Sequence, residues 1–154
     1  MGQQQLLLVI LVTIIVGIAT VVAINTFGTA ADQANIDAVR NDMASMAASA
    51  QSYYMKPTML GGGGRTFTGI GFQNLAFPAN GISADSTVAQ NENGFYELTT
   101  VNPQSIIITA HPASSEDYVP GTVDADGVLT VGTDAAAADQ LTGTITPDNY
   151  TPDN

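Results

Sequence analysis

From Leu6 to Ile24 the chain reads LLLVILVTIIVGIATVVAI, in which Thr13 and Thr20 are the only polar side chains, and no charged side chain occurs before Asp32. A helix of that length suits a hydrocarbon core of about 30 Å and satisfies its backbone polar groups internally. Three fates compete: a secretory signal that is cleaved away, a permanent transmembrane anchor, and a helix that leaves the bilayer for a protein polymer. Gly28 and Ala30 have the small-residue spacing of a cleavage site before Ala31. Against cleavage, MGQQQ offers no basic side chain and the apolar run exceeds the roughly 7–15 residues of a signal's apolar region, so the segment is expected to be retained.

After a junction at Asn25 to Ala31 the pattern becomes amphipathic. Ile36, Val39, Met43, Met46, Ala50 and Tyr53 follow alternating steps of three and four, one stripe of a helix, while Asp32, Asp37, Arg40, Asp42 and Ser49 fall off it. Lys56 complements the dipole of a last turn, and Pro57 cannot continue a helix. If the two segments are continuous, residues 3–56 form a rod of roughly 80 Å at 1.5 Å per residue. A compact head built from the remaining chain cannot bury such a rod along its length.

Beyond Pro57 the punctuation changes. Pro57 to Arg65, with the tetraglycine Gly61 to Gly64, reads as a flexible connector. Short β-type runs follow at Thr66–Phe72, Gly94–Val101 and Gln104–Ala110, then a hairpin in which Val123 and Val128 flank Asp124-Ala125-Asp126-Gly127. Phe95, Leu98, Ile106, Ile108, Val128 and Leu129 are the expected inward residues. Such a core is small for a head without disulfides, and the amphipathic stripe supplies the surface it needs. The expected fold is therefore α+β: a long N-terminal helix, apolar over 6–24 and amphipathic over 32–56, a connector over 57–65, and a small antiparallel head over 66–154. The closing TPDNYTPDN is expected as an exposed, extended tail.

Composition narrows the function. At 154 residues the chain has room for one domain. Fourteen acidic residues against three basic ones give a net charge of -11, which repels polyanions and argues against nucleic acid as a partner. The absence of cysteine excludes disulfides, thiolate metal sites and a cysteine nucleophile. His111, the one histidine, precedes Pro112 and reads as a turn residue rather than a base. Glu92 and Glu97 are a weak basis for paired acid chemistry, and no catalytic motif accompanies them, so no enzyme is expected.

Two loops invite ligands. GGGGRT lacks the glycine spacing and the lysine of a phosphate loop. Asp124 and Asp126 open a sequence like a calcium loop, but the twelfth position is Ala135 instead of glutamate, and Asp134 and Asp139 could contribute only if the fold brings them near. A hairpin turn explains the same residues, so calcium at Asp124 and Asp126 is the one cofactor possibility and none is required. Eighteen threonines and the sequon Asn149-Tyr150-Thr151 make glycosylation an option for an exposed shell. Ten aromatic residues, adjacent only at Tyr53–Tyr54 and Phe95–Tyr96, offer no stacking path for electron conduction.

An uncharged apolar helix at the N-terminus, its amphipathic continuation, a glycine-rich loop and a small β head together resemble the type IV pilins and their pseudopilin relatives. The resemblance is specific over residues 1–56 and architectural beyond. It implies a homopolymer: apolar helices bundled at the centre of a helical filament on the cell surface, heads forming the shell. Subunits of that family wait in the inner membrane until a dedicated machine stacks them. Carried onto this chain, the polymerising positions are Gln5, Leu6, Leu7, Val9, Ile10, Ile14, Val16, Gly17, Val21 and Ile24. Ile36, Val39, Met43, Met46 and Tyr53 then join helix to head.

The chain departs from the family in three respects. No basic leader is visible before Met1, so Met1 is expected to be either the residue left by leader removal or the start of a branch without one. Gln5 stands where the family carries a glutamate that neutralises a neighbour's terminal amine, and an amide network of Gln3, Gln4 and Gln5 is expected in its place. The family's helix often melts at a proline or glycine on assembly, and here Gly17 and Gly28 are the available positions. A single-span anchored binding module outside the cytoplasm, and a pseudopilin acting as a secretion piston, are the alternatives to the filament.

Overall fold

The computed structural model describes residues 2–130 and 139–153. The chain forms two compact units, residues 1–34 and 35–154. One helix, α1 (Gly2–Met55), supplies all of the first unit's described residues and the opening element of the second. Nothing before Pro57 interrupts its hydrogen bonding, and α1 runs through Gly17 and Gly28 without a break.

The second unit opens with the end of α1, continues through two short 3₁₀ turns (Thr58–Leu60 and Phe72–Asn74), and forms its remaining regular structure from β-strands. Its main sheet has six antiparallel strands in the order β1 (Gly81–Ile82), β2 (Val88–Gln90), β3 (Gly94–Asn102), β4 (Ser105–Pro112), β7 (Leu141–Ile145) and β8 (Tyr150–Pro152). A two-stranded sheet, β5 (Thr122–Val123) with β6 (Leu129–Thr130), touches β1 through the Ile82–Val128 bridge. On the inner face the pairs Leu98 with Ile108, Tyr96 with Ala110, Ile106 with Ile145 and Ala110 with Leu141 bring apolar side chains into rows. Val39, Met43, Met46, Ala47 and Ala50 of α1 are buried in the same cluster, and Ile36 and Tyr53 lie half-buried against it. The fold is thus α+β, a long N-terminal helix packed on an antiparallel sheet.

Several elements differ from the sequence reading. The Gly61–Gly64 stretch is no loose connector: it folds back and caps α1. The amides of Gly63, Gly64 and Arg65 donate to the carbonyls of Tyr53, Lys56 and Tyr54 at 2.8, 3.0 and 2.9 Å, satisfying acceptors that a helix end leaves open. A side chain at Gly62 would run into the Lys56 carbonyl and one at Gly63 into the Thr66 carbonyl, so the glycines are required by close approach. Thr66–Phe72 is not a strand, because Gly69 takes φ 79° and the backbone turns locally. Phe67, Ile70 and Phe72 nevertheless enter the core.

Phe95 and Leu98, three apart, cannot share a face at a period of two. Tyr96 points inward with Leu98, while Phe95 is buried on the other face, stacked on His111 at 4.0 Å between ring centroids and on Tyr118 at 6.0 Å. His111 is accordingly a buried strand residue, not a turn residue. Val128 is exposed where its neighbour Leu129 is buried. The closing repeat is extended but not free. Tyr150 is half-buried across Gly143, and its strand pairs Thr151 with Thr144.

Candidate functional site

The first unit is an apolar surface without a cover. Every large apolar side chain from Leu6 to Ile24 is exposed, between 47% at Ile10 and 68% at Leu7. Leu6, Leu7, Val9, Ile10, Ile14, Val16, Val21 and Ile24 are among them. A side chain built at Gly17 would meet nothing within 4 Å, so that glycine leaves a shallow place where another helix can approach closely. Exposed apolar patches of this extent mark a protein or membrane contact.

The polar groups inside this surface are satisfied locally. Thr13 Oγ1 donates to the Ile10 carbonyl, Thr20 Oγ1 to Val16 and Thr26 Oγ1 to Val22, each at 2.8 Å. Thr29 Oγ1 shares itself between Asn25 and Thr26. Hydroxyls tied to their own helix can enter an apolar environment without an orphaned donor. Gln5 and the glutamines before it are exposed, and among the described residues no side-chain hydrogen bond joins them within the chain. The helix is long and apolar enough to cross a membrane, and its place near the N-terminus also fits a signal sequence.

The second unit has a polar centre that the sequence reading missed. Asp42 Oδ2 accepts three hydrogen bonds, from Asn91 Nδ2 and Asn93 Nδ2 at 2.8 Å each and from the Tyr96 hydroxyl at 2.7 Å. Asn91 Oδ1 in turn accepts from the amides of Asn93 and Gly94 and sets the β2–β3 turn. Asn35 donates to the Asn93 carbonyl and accepts from the Ser114 amide. Burial, then the bond to the Asp42 carboxylate, pushes the Tyr96 hydroxyl well above the usual tyrosine range. With the Asp42 carboxylate tying α1 to the β2–β3 turn and to β3, this group is a structural clamp. It was overlooked because Asp42 falls off the apolar stripe and its partners lie about fifty residues away in sequence.

At the proposed calcium loop, Asp124 Oδ1 accepts from the amides of Asp126 and Val128 at 3.0 and 2.9 Å, and Gly127 takes φ 80°. These are the contacts of a turn. Asp139 accepts from Ser115 Oγ at 3.0 Å. Asp134 and Ala135 lie outside the described residues. Among the described residues no three His, Asp or Glu side chains form a group able to hold a metal. Asp85 is held below the usual carboxylate range by hydrogen bonds from Ser83 and Thr87, which closes another local turn.

Comparison with protein-family models, with curated proteins and with solved structures found no match for this chain.

Proposed function

We propose that the protein is a structural subunit of an extracellular helical filament of the type IV pilus kind, held in a membrane before assembly and polymerising through residues 6–24 of α1. The observation that supports this reading is the all-round exposure of that stretch, joined to hydroxyls already satisfied within the helix. In a bilayer such a helix contacts lipid, and in a filament the helices of other subunits replace lipid. That exchange gains little from hydrophobicity alone, since acyl chains are as apolar as leucine, so close packing and head contacts must add to it. Gly17 provides one place for close packing. The clamp at Asp42 keeps each head folded on its own helix while the apolar segment changes surroundings.

A single-span anchor carrying an extracytoplasmic head is the second reading, favoured by the same helix, which also suits permanent residence in lipid. Electron microscopy of cell-surface material separates the two. Long polymers of this one chain support the filament, whereas a detergent-stable monomer, with no polymer on the cell, supports the anchor.

A further inference from the structure

Within the second unit, hydrogen bonds mark two ends. At one, Asn35 engages Asn93 and Ser114, and Ser115 engages Asp139. At the other, the Tyr54 hydroxyl donates to Gln104 Oε1 at 2.7 Å and the glycine loop caps α1. The stretch of α1 from Asn35 to Tyr54 separates the ends by roughly 28 Å at 1.5 Å per residue.

The Tyr54 end is apolar and cationic. Met55, Met59 and Leu60 are exposed at 70%, 95% and 66%. Lys56 and Arg65, two of the three basic residues in a chain of net charge -11, lie among them. The ion pair formed among the described residues is that of the third, Arg40, with Asp37. Beside Arg65 opens a cleft of about 530 Å³ lined by Tyr54, Met55, Gln104, Pro147 and Asp148. Arg65 has φ 70°, rare for a residue with a side chain, and is held there by its amide's bond to the Tyr54 carbonyl and by Gln104 Nε2 on its own carbonyl.

The Asn35 end has the opposite character. Glu116 and Asp117 are exposed beside Val119, itself 47% exposed, and Glu92 and Asp139 are exposed at the same end. The ends differ in balance: cations with methionine and leucine at one, where Asp148 in the cleft is the carboxylate beside Arg65, against carboxylates with valine at the other. A contact between unlike ends of identical subunits is heterologous and propagates without closing unless the rotation happens to form a ring.

We propose that the Met59–Leu60–Arg65 end of one subunit docks on the Glu116–Asp117–Val119 end of a second copy, the charges setting polarity and register and the apolar side chains supplying contact. The inference deepens the filament reading and rests on it for the setting in which the ends meet. It identifies the head-to-head contact that must supplement helix packing.

The cysteine-free chain makes a direct test available. In the full-length chain, in the cells that produce it, Leu60→Cys and Val119→Cys are introduced together and treated with a short bis-maleimide. The expected result is a ladder of covalent multimers from the double variant and no dimer from either single variant. Lys56→Glu with Arg65→Glu, added to the double variant, is expected to reduce the ladder by about tenfold, and Glu116→Lys with Asp117→Lys to restore it. Filaments without a ladder overturn the docking contact and leave the filament reading standing. A ladder without filaments keeps the contact and overturns the filament. Dimers from Leu60→Cys alone overturn the unlike-ends pairing, because they require like ends to meet.

Discussion

Asp42 sits one position before Met43, yet the two side chains serve different ends: the methionine enters the apolar cluster and the carboxylate gathers Asn91, Asn93 and Tyr96. Removing the carboxylate leaves three donors competing for water in a half-buried place. Asp42→Ala is expected to destabilise the fold by about 2 kcal/mol and Tyr96→Phe by about 1.5 kcal/mol. The two losses should sum to more than the double variant shows, because they share one bond. Urea unfolding of the full chain in detergent measures all three.

The Tyr96 shift adds a pH dependence. Its folded pKa is raised, while the unfolded chain loses the phenolic proton near pH 10. This contribution to stability is intact below about pH 10 and is lost as pH rises toward the folded value. The urea midpoint should therefore fall less steeply above about pH 10 in Tyr96→Phe than in the parent. Tyr118 and Tyr150, raised mainly by burial, leave a residual slope of the same sign. Of these residues the sequence revealed little. A half-buried carboxylate looks like a solvated one until its long-range partners are known, and Phe95 and Tyr96 are both aromatic, so only the strand's alternation decides which faces the helix.

At the scale of elements, the helix and the β5–β6 hairpin were legible, the latter through its turn residues, and the other short strands were not. The 3.5-residue spacing that picks out Val39, Met43 and Met46 is local, and these residues lie in the buried cluster. β3 and β4 also announce themselves, being long enough to carry an alternation. β1, β2 and β8 have two or three residues each, too few for a period, and are defined only by their neighbours. The tetraglycine misled because flexibility and close approach ask for the same residue. Gly63→Ala tests the difference: its side chain would meet the Thr66 carbonyl and the Tyr53 ring, and a loss of about 2 kcal/mol is expected by thermal unfolding, where a loose connector would show none. In the apolar half, Val16→Asp puts a carboxylate among exposed valines and isoleucines. Filaments should disappear while the far- and near-ultraviolet circular dichroism of the head is retained, since residue 16 belongs to the first unit and the buried cluster to the second. Normal filament counts from that variant would contradict the proposal.

The whole molecule combines an acidic, cysteine-free chain with one stretch of intense hydrophobicity. The α+β class could be read in advance because that stretch, the amphipathic stripe and the β runs occupy separate parts of the sequence. Function could be read only as a kind of surface. An apolar helix exposed on every side states that something must cover it, and lipid and neighbouring subunits make the same chemical offer. The covering of residues 6–24 is therefore the central question, and helical reconstruction by electron cryomicroscopy of polymers isolated from the cell surface answers it most directly. Density for Leu6 to Ile24 is expected at the axis, each side chain in contact with α1 of other copies and none with lipid. Density that places this stretch at the periphery in solvent, or shows polymers built from chains lacking it, would contradict the account.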